Sequence, residues 1–200
     1  MSGRGHGRLR PATVAFLALV TLAGPAGSLG ATRGSPTKDL VVNGTFESGS
    51  TGFTSQYKEL ASLADPQTYT IGLDPAKYNG NWPTIKPHAA VGMLMIVNGA
   101  IHPNKTVWSE AIPVKADSSY HFSLWVASLY SSPPVLKVEA NGSTLGTVTA
   151  SQTVGAWKQI SFEWSSGSAK SAKLALIDTN LAFGGNDFAL SEIALSGPPA

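Results

Sequence analysis

The sequence predicts an all-β protein, a single-domain antiparallel β-sandwich. Three observations carry this. Short runs rich in Val, Ile, Thr and aromatic residues recur along the 200-residue chain, separated by Gly, Pro and Asn. No stretch sustains the 3.6-residue apolar period of an amphipathic helix. Asn141-Gly142 stands between two such runs, and this dipeptide supplies the two positive φ angles that a tight hairpin turn requires.

The first residues are set apart from that pattern. Arg4, Arg8 and Arg10 precede an apolar run over residues 12–23, which is shorter than the roughly 20 residues of a spanning helix. Gly24 and Pro25 break the run and small residues follow, so residues 1–30 read as a secretory signal peptide cleaved after Ser28 or Gly30. Leu9 separates Arg8 from Arg10, which leaves no twin-Arg pair and favours the general secretory route. The expectation is a secreted, extracellular protein with no stable membrane insertion after cleavage. Residues 31–38, with Gly34 and Pro36, read as a linker. The folded domain is expected over 39–196, with 197–200 as a frayed tail.

Within the domain the strands follow in order. Residues 67–73 are rich in Thr, Tyr and Ile. Residues 91–97 form a nearly continuous apolar run, which suits a strand buried on both faces. Residues 106–114 alternate loosely. Residues 120–130 put Phe122, Leu124 and Val126 on one face and His121, Ser123, Trp125 and Ala127 on the other. Residues 135–140 and 144–150 flank the hairpin turn. Residues 157–164 alternate again, and 173–178 and 187–195 complete the set. Residues 74–90 break the rhythm with three prolines and a glycine, so they form a loop. A connection of that length is often functional.

Composition excludes several classes of function. There is no cysteine, which removes disulfides, thiolate nucleophiles and Cys-ligated zinc. Charged residues make up 13% and the net charge is +2, part of it in the leader, so no basic stripe is left for nucleic acid. No Gly-x-Ser-x-Gly elbow occurs, and no pair of carboxylates stands in a recognisable acid–base context. The chain is therefore read as a non-enzyme. His88, His102 and His121 are scattered, without zinc spacing.

A sugar ring has an apolar face that an exposed aromatic can stack against, while polar side chains fix its hydroxyls. Trp82 and Tyr78 lie in the proline-rich loop, where packing demands are looser, and are the first candidates for such a platform. Asn81 and His88 are placed to supply hydrogen bonds nearby. Trp125 shares a strand face with His121 and Ser123, either as part of a ligand cleft or as a second buried face. Trp108, Trp157 and Trp164 are assigned to the core or the strand rim.

Asn43-Gly44-Thr45-Phe46-Glu47 and Asp187-Phe188-Ala189-Leu190-Ser191-Glu192-Ile193 stand at the two ends of the expected domain. The pair resembles the opening and closing strands of carbohydrate-binding modules with a galactose-binding-like jelly-roll fold. Residues 69–125 are similar to an exported bacterial subset of that superfamily, through Trp82, His88, Gly92-Met93-Leu94, Val97-Asn98-Gly99, Val107-Trp108 and Phe122-Ser123-Leu124-Trp125. The resemblance implies a jelly roll whose first and last strands meet. It implies non-catalytic binding of a polysaccharide or other glycan. It also implies a structural calcium held by Glu47, Asp187 and Glu192, although Ser191 stands where relatives carry an Asp. The alternative is a structural or adhesive extracellular module that contacts protein or matrix.

Overall fold

The computed structural model describes residues 38–200; the signal peptide and most of the linker expected from the sequence lie outside the described residues. Eleven strands follow in chain order: β1 Lys38–Asp39, β2 Lys58–Glu59, β3 Thr68–Gly72, β4 Leu94–Asn98, β5 Thr106–Pro113, β6 Ser119–Ser128, β7 Val135–Ala140, β8 Ser143–Thr149, β9 Trp157–Ser165, β10 Ser171–Asp178 and β11 Phe188–Gly197. A single 3-10 turn, Pro75–Lys77, interrupts them. Among the described residues no helix is long and apolar enough to cross a membrane.

The strands form two sheets, and the fold is the antiparallel β-sandwich that the sequence predicts. The larger sheet runs β2-β3-β4-β11-β6-β9, with β1 also pairing β11. The smaller runs β5-β10-β7-β8. Every pairing is antiparallel except the short β2–β3 pair. Asn141-Gly142 does turn β7 into β8, with φ of 52° and 77°.

Between the sheets lies one large apolar core. Phe122, Leu124 and Val126 of β6, Phe188, Leu190 and Leu195 of β11, and Trp108 and Ile112 of β5 are all shielded from water. Period-two alternation sends the remaining residues of β6 and β9 to the outer face of the larger sheet. Strand β4 is buried on both faces. Met95 and Val97 enter the main core, while Leu94 and Ile96 enter a second cluster on the outer face with Leu63, Trp82, Leu129 and Ala189. The apolar run at 91–97 thus needs a cover on each side, and the 74–90 loop supplies the outer one.

The two ends of the domain meet as the motifs imply. Lys38 and Asp39 pair with Gly197 and Ser196, so the strand boundaries run one residue beyond the 39–196 expectation at each end. Pro198 is also tied down, its carbonyl accepting a bond from the Tyr120 hydroxyl at 3.0 Å. The opening motif is a compact turn. The Asn43 amide donates to the carbonyls of Gly49 and Thr51, and its oxygen accepts from Ser48 N–H. Phe46, at positive φ, is sealed in the core against Phe53. Gly44 packs so closely on β11 that a Cβ there would overlap the Ile193 carbonyl.

Candidate functional site

The proline-rich loop determines what the outer face of the larger sheet can offer. Asp74 caps the 3-10 turn by accepting Ala76 N–H at 3.1 Å. The chain then bends at Asn79, whose carbonyl accepts Trp82 N–H. That bend drives the Trp82 ring down onto Leu94, Ile96 and Ala189. Trp82 is only 4% exposed, and its indole N–H donates to Asp187 Oδ2 at 3.0 Å. The expected platform is therefore a packing residue, because the second apolar face of β4 recruits the largest side chain of the loop. Tyr78 is half-buried, its ring packed on that cluster and against Gly72. Asn81 is exposed at the bend.

Further along, the loop crosses the sheet as a strap. The Trp157 indole N–H donates to the Lys86 carbonyl at 3.2 Å. The His88 ring stacks on Trp125, with centroids 3.6 Å apart and planes at 14°, and meets Trp157 edge-on at 6.2 Å. His88 Nδ1 also lies 2.9 Å from Glu192 Oε2. Three predicted residues, Trp125, His88 and Glu192, are thus brought together.

Glu192 reaches this face through a bulge. Strand β11 pairs Ser191 with Trp125 but Ala194 with Ser123, so it carries one extra residue. Glu192 occupies that irregularity with φ at 49°. Strict alternation would place it in the core with Phe188 and Leu190; the bulge re-aims it outward. Trp157, assigned to the core or the rim, stands at the start of β9, partly buried against the second cluster on the outer face and two residue pairs along β9 from Gln159 and Trp125.

Beyond the strap the face is open and polar. His121 Nδ1 lies 2.7 Å from Glu163 Oε1, both side chains well exposed, a surface contact that adds little to stability in water. Ser123 and Ser161 stand opposite each other between that pair and the aromatic group, and Ala194 adjoins Ser123. A shallow strip of small side chains is the result, with the His88–Trp125–Trp157 group at one end.

The carboxylates expected to hold calcium are not assembled. Glu47 is exposed on the opening turn. Glu192 faces His88. Asp187 is 8% exposed, with one oxygen accepting the Trp82 indole and the other accepting Gly99 N–H at 3.1 Å. Among the described residues no three His, Asp or Glu side chains converge as a metal cage. The turn around Asn43 and the core placement of Phe46 account for the opening motif through packing, and they leave Glu47 turned to water.

Sequence reasoning passed over a buried acid cluster. Asp178 is fully buried and accepts from Ala100 N–H, Asn180 N–H and the Asn186 amide. Burial pushes its carboxyl up to about 7, and the same cause raises that of Asp187. The Asn186 amide also bonds the carbonyls of Ala100 and Asn180. The signal available was Asp178 at the end of an otherwise apolar run.

The same β-sandwich fold occurs in solved structures of different function. Among solved structures, the chain is similar to the N-terminal CBM22-1-CBM22-2 tandem domain from Paenibacillus barcinonensis Xyn10C. The TM-score is 0.55 at 18% identity, over 85% of this chain and 48% of that one. It is equally similar to a Stig cyclase, Fisc, from Fischerella sp. TAU, with a TM-score of 0.55 at 11% identity, over 82% of this chain and 100% of that one. No protein-family model and no curated protein matches the chain. At such identities the likeness establishes the fold alone, and one fold serves both a binding module and a cyclase, so function must be argued from the site.

Proposed function

We propose that this chain is a secreted, non-catalytic carbohydrate-binding module that takes a glycan on the outer face of its larger sheet. The observation that carries the reading is the aromatic group on that face. Trp125 and Trp157 are both partly exposed, with the His88 ring, its side chain 34% exposed, stacked over the first. Aromatic side chains left partly in water on an otherwise polar sheet are what a sugar ring needs for stacking. The strip of Ser123, Ser161 and Ala194 leaves room for neighbouring sugar units. Gln159, His121 and Glu163 provide donors and acceptors for hydroxyls. Since His88 covers Trp125, the surface a ring meets is the imidazole and the edge of Trp157. The reading requires no calcium.

Affinity electrophoresis of the purified domain through gels containing xylan, mixed-linkage β-glucan or galactan tests it. One polysaccharide should retard the domain. Trp157→Ala, and His88→Ala combined with Trp125→Ala because loss of the imidazole alone uncovers the Trp125 ring, should each abolish the retardation while circular dichroism stays unchanged. Retardation that survives in both variants moves the site off this face. No retardation by any glycan favours the structural or adhesive module.

A further inference from the structure

A second concavity opens at one end of the larger sheet. Strand β3 begins there, β4 and β6 end there and β11 begins there, as the pairings Thr68 with Asn98, Val97 with Phe188 and Phe188 with Ser128 require. The cavity is about 230 Å³. That is below the roughly 300–1,000 Å³ of clefts that take drug-sized ligands, so it suits a single ring or head group. Its lining includes Trp82, Asn81, Asn98, Tyr130, Phe183 and Asp187.

Two features of this lining stand out, its exposed rings and its charge. Phe183 is 82% exposed and Tyr130 is 40% exposed, both at the mouth. The two rings at one cavity mouth offer a ligand flat apolar faces. The second feature is charge. Asp187 is the acidic group of the lining, and no Lys, Arg or His lines it. Among the described residues no cationic side chain pairs with Asp187. Each of its oxygens accepts one hydrogen bond and keeps a further acceptor position. Asp178 is buried nearby and its carboxyl feels the Asp187 charge, so two acids share this end of the sandwich. A buried carboxylate without a countercharge, beside exposed aromatic faces, complements a cation.

We propose that this end pocket binds a small organic cation, a protonated amine or quaternary ammonium head group, with its charge directed at Asp187 and its carbon face against Phe183 and Tyr130. The cation supplies the missing countercharge. The rings contribute cation–π attraction and shield the pair from water. Such a head group can arrive on an amino sugar or on a choline-type compound, and the two are separable by experiment. The proposal stands apart from the glycan face, since neither His88 nor Trp157 lines this pocket.

The test is NMR titration of the ¹⁵N-labelled protein. The Trp82 indole N–H and the Gly99 amide both donate to Asp187, so their signals report its occupancy. D-glucosamine is compared with D-glucose, and choline with its neutral isostere 3,3-dimethylbutan-1-ol. At least one cation should move both signals saturably, with a Kd in the millimolar range, and bind at least tenfold more tightly than its neutral counterpart. Phe183→Ala, at an exposed position, should leave the remaining spectrum in place and weaken binding by about 3- to 30-fold, the range that cation–π contacts span. Asp187→Asn should remove the preference for the cation, and Phe183→Ala keeps the test decisive if that variant fails to fold. Neutral compounds that bind as well as the cations would overturn the proposal. So would signals that stay fixed with both cations up to about 50 mM, well beyond millimolar affinity. Neither result would touch the gel retardation expected of the other face.

Discussion

Replacing Trp82 tests the reading of the loop most directly. As an exposed platform, Trp82→Ala would leave the fold intact. The structure requires the opposite. The ring is 4% exposed and packs with Leu63, Leu94, Ile96, Leu129 and Ala189. Truncating a buried Trp to Ala costs about 3–5 kcal/mol. It also removes the donor to a buried carboxylate, a loss worth a further ~1–3 kcal/mol. Small domains are stable by only about 5–15 kcal/mol, so the variant should be marginal. Trp82→Phe separates the two contributions: it keeps most of the packing and should lose only the hydrogen-bond part, about 1–3 kcal/mol. Urea unfolding followed by far-UV circular dichroism reads both. At a slope of about 2 kcal/mol/M, the Ala variant should lower the midpoint by roughly 3 M. An Ala variant within about 1 kcal/mol of the parent would refute the assignment of Trp82 to packing.

Two further outcomes are expected from the buried groups and the opening turn. Asp178 titrates near 7 in the folded state against 3.8 for the free carboxyl, so the fold holds its proton more tightly than the unfolded chain does. Its ionisation therefore costs the fold nothing below about pH 4 and on the order of 4 kcal/mol above pH 7. Stability should fall as pH rises through that window, and Asp178→Asn should flatten the fall; urea midpoints at pH 5 and pH 8 decide it, and equal pH dependence in both proteins counts against it. Gly44→Ala puts a methyl group onto the Ile193 carbonyl, which is backbone and cannot swing aside. It should cost at least about 1–3 kcal/mol, and an unchanged melting temperature would show that the opening turn does not dock on β11.

The regular strands were legible because they depend on local pattern. Alternation at 120–130 placed Phe122, Leu124 and Val126 inward, and Asn141-Gly142 marked its hairpin. Pairing of the chain ends followed from the two motifs. The site was less legible because its contacts are distant in sequence. Trp82 meets Asp187 across 105 positions and His88 meets Glu192 across 104. No local period encodes such contacts. One signal was present but easily passed over: the apolar positions of the last strand run Phe188, Leu190, then Ile193 and Leu195, and the step of three marks the bulge that turns Glu192 outward.

The same apolar run that revealed β4 also constrained the loop, and the two readings are one argument. A strand apolar on both faces, at 94–97, cannot leave its outer face to water. The 74–90 connection brings large apolar side chains to that outer face. Those side chains, Trp82, Tyr78 and Ile85, must therefore fold down, and they do. Once they are spent on packing, the loop's remaining polar residues fall at its margins. Asn81 reaches the end pocket and His88 reaches Trp125. A single hydrophobic requirement thus divides one face of the sheet into a covered centre, an aromatic platform beside the strap, and an acidic pocket at the end. The two surfaces proposed above to bind ligands both lie at the margins of that covering loop.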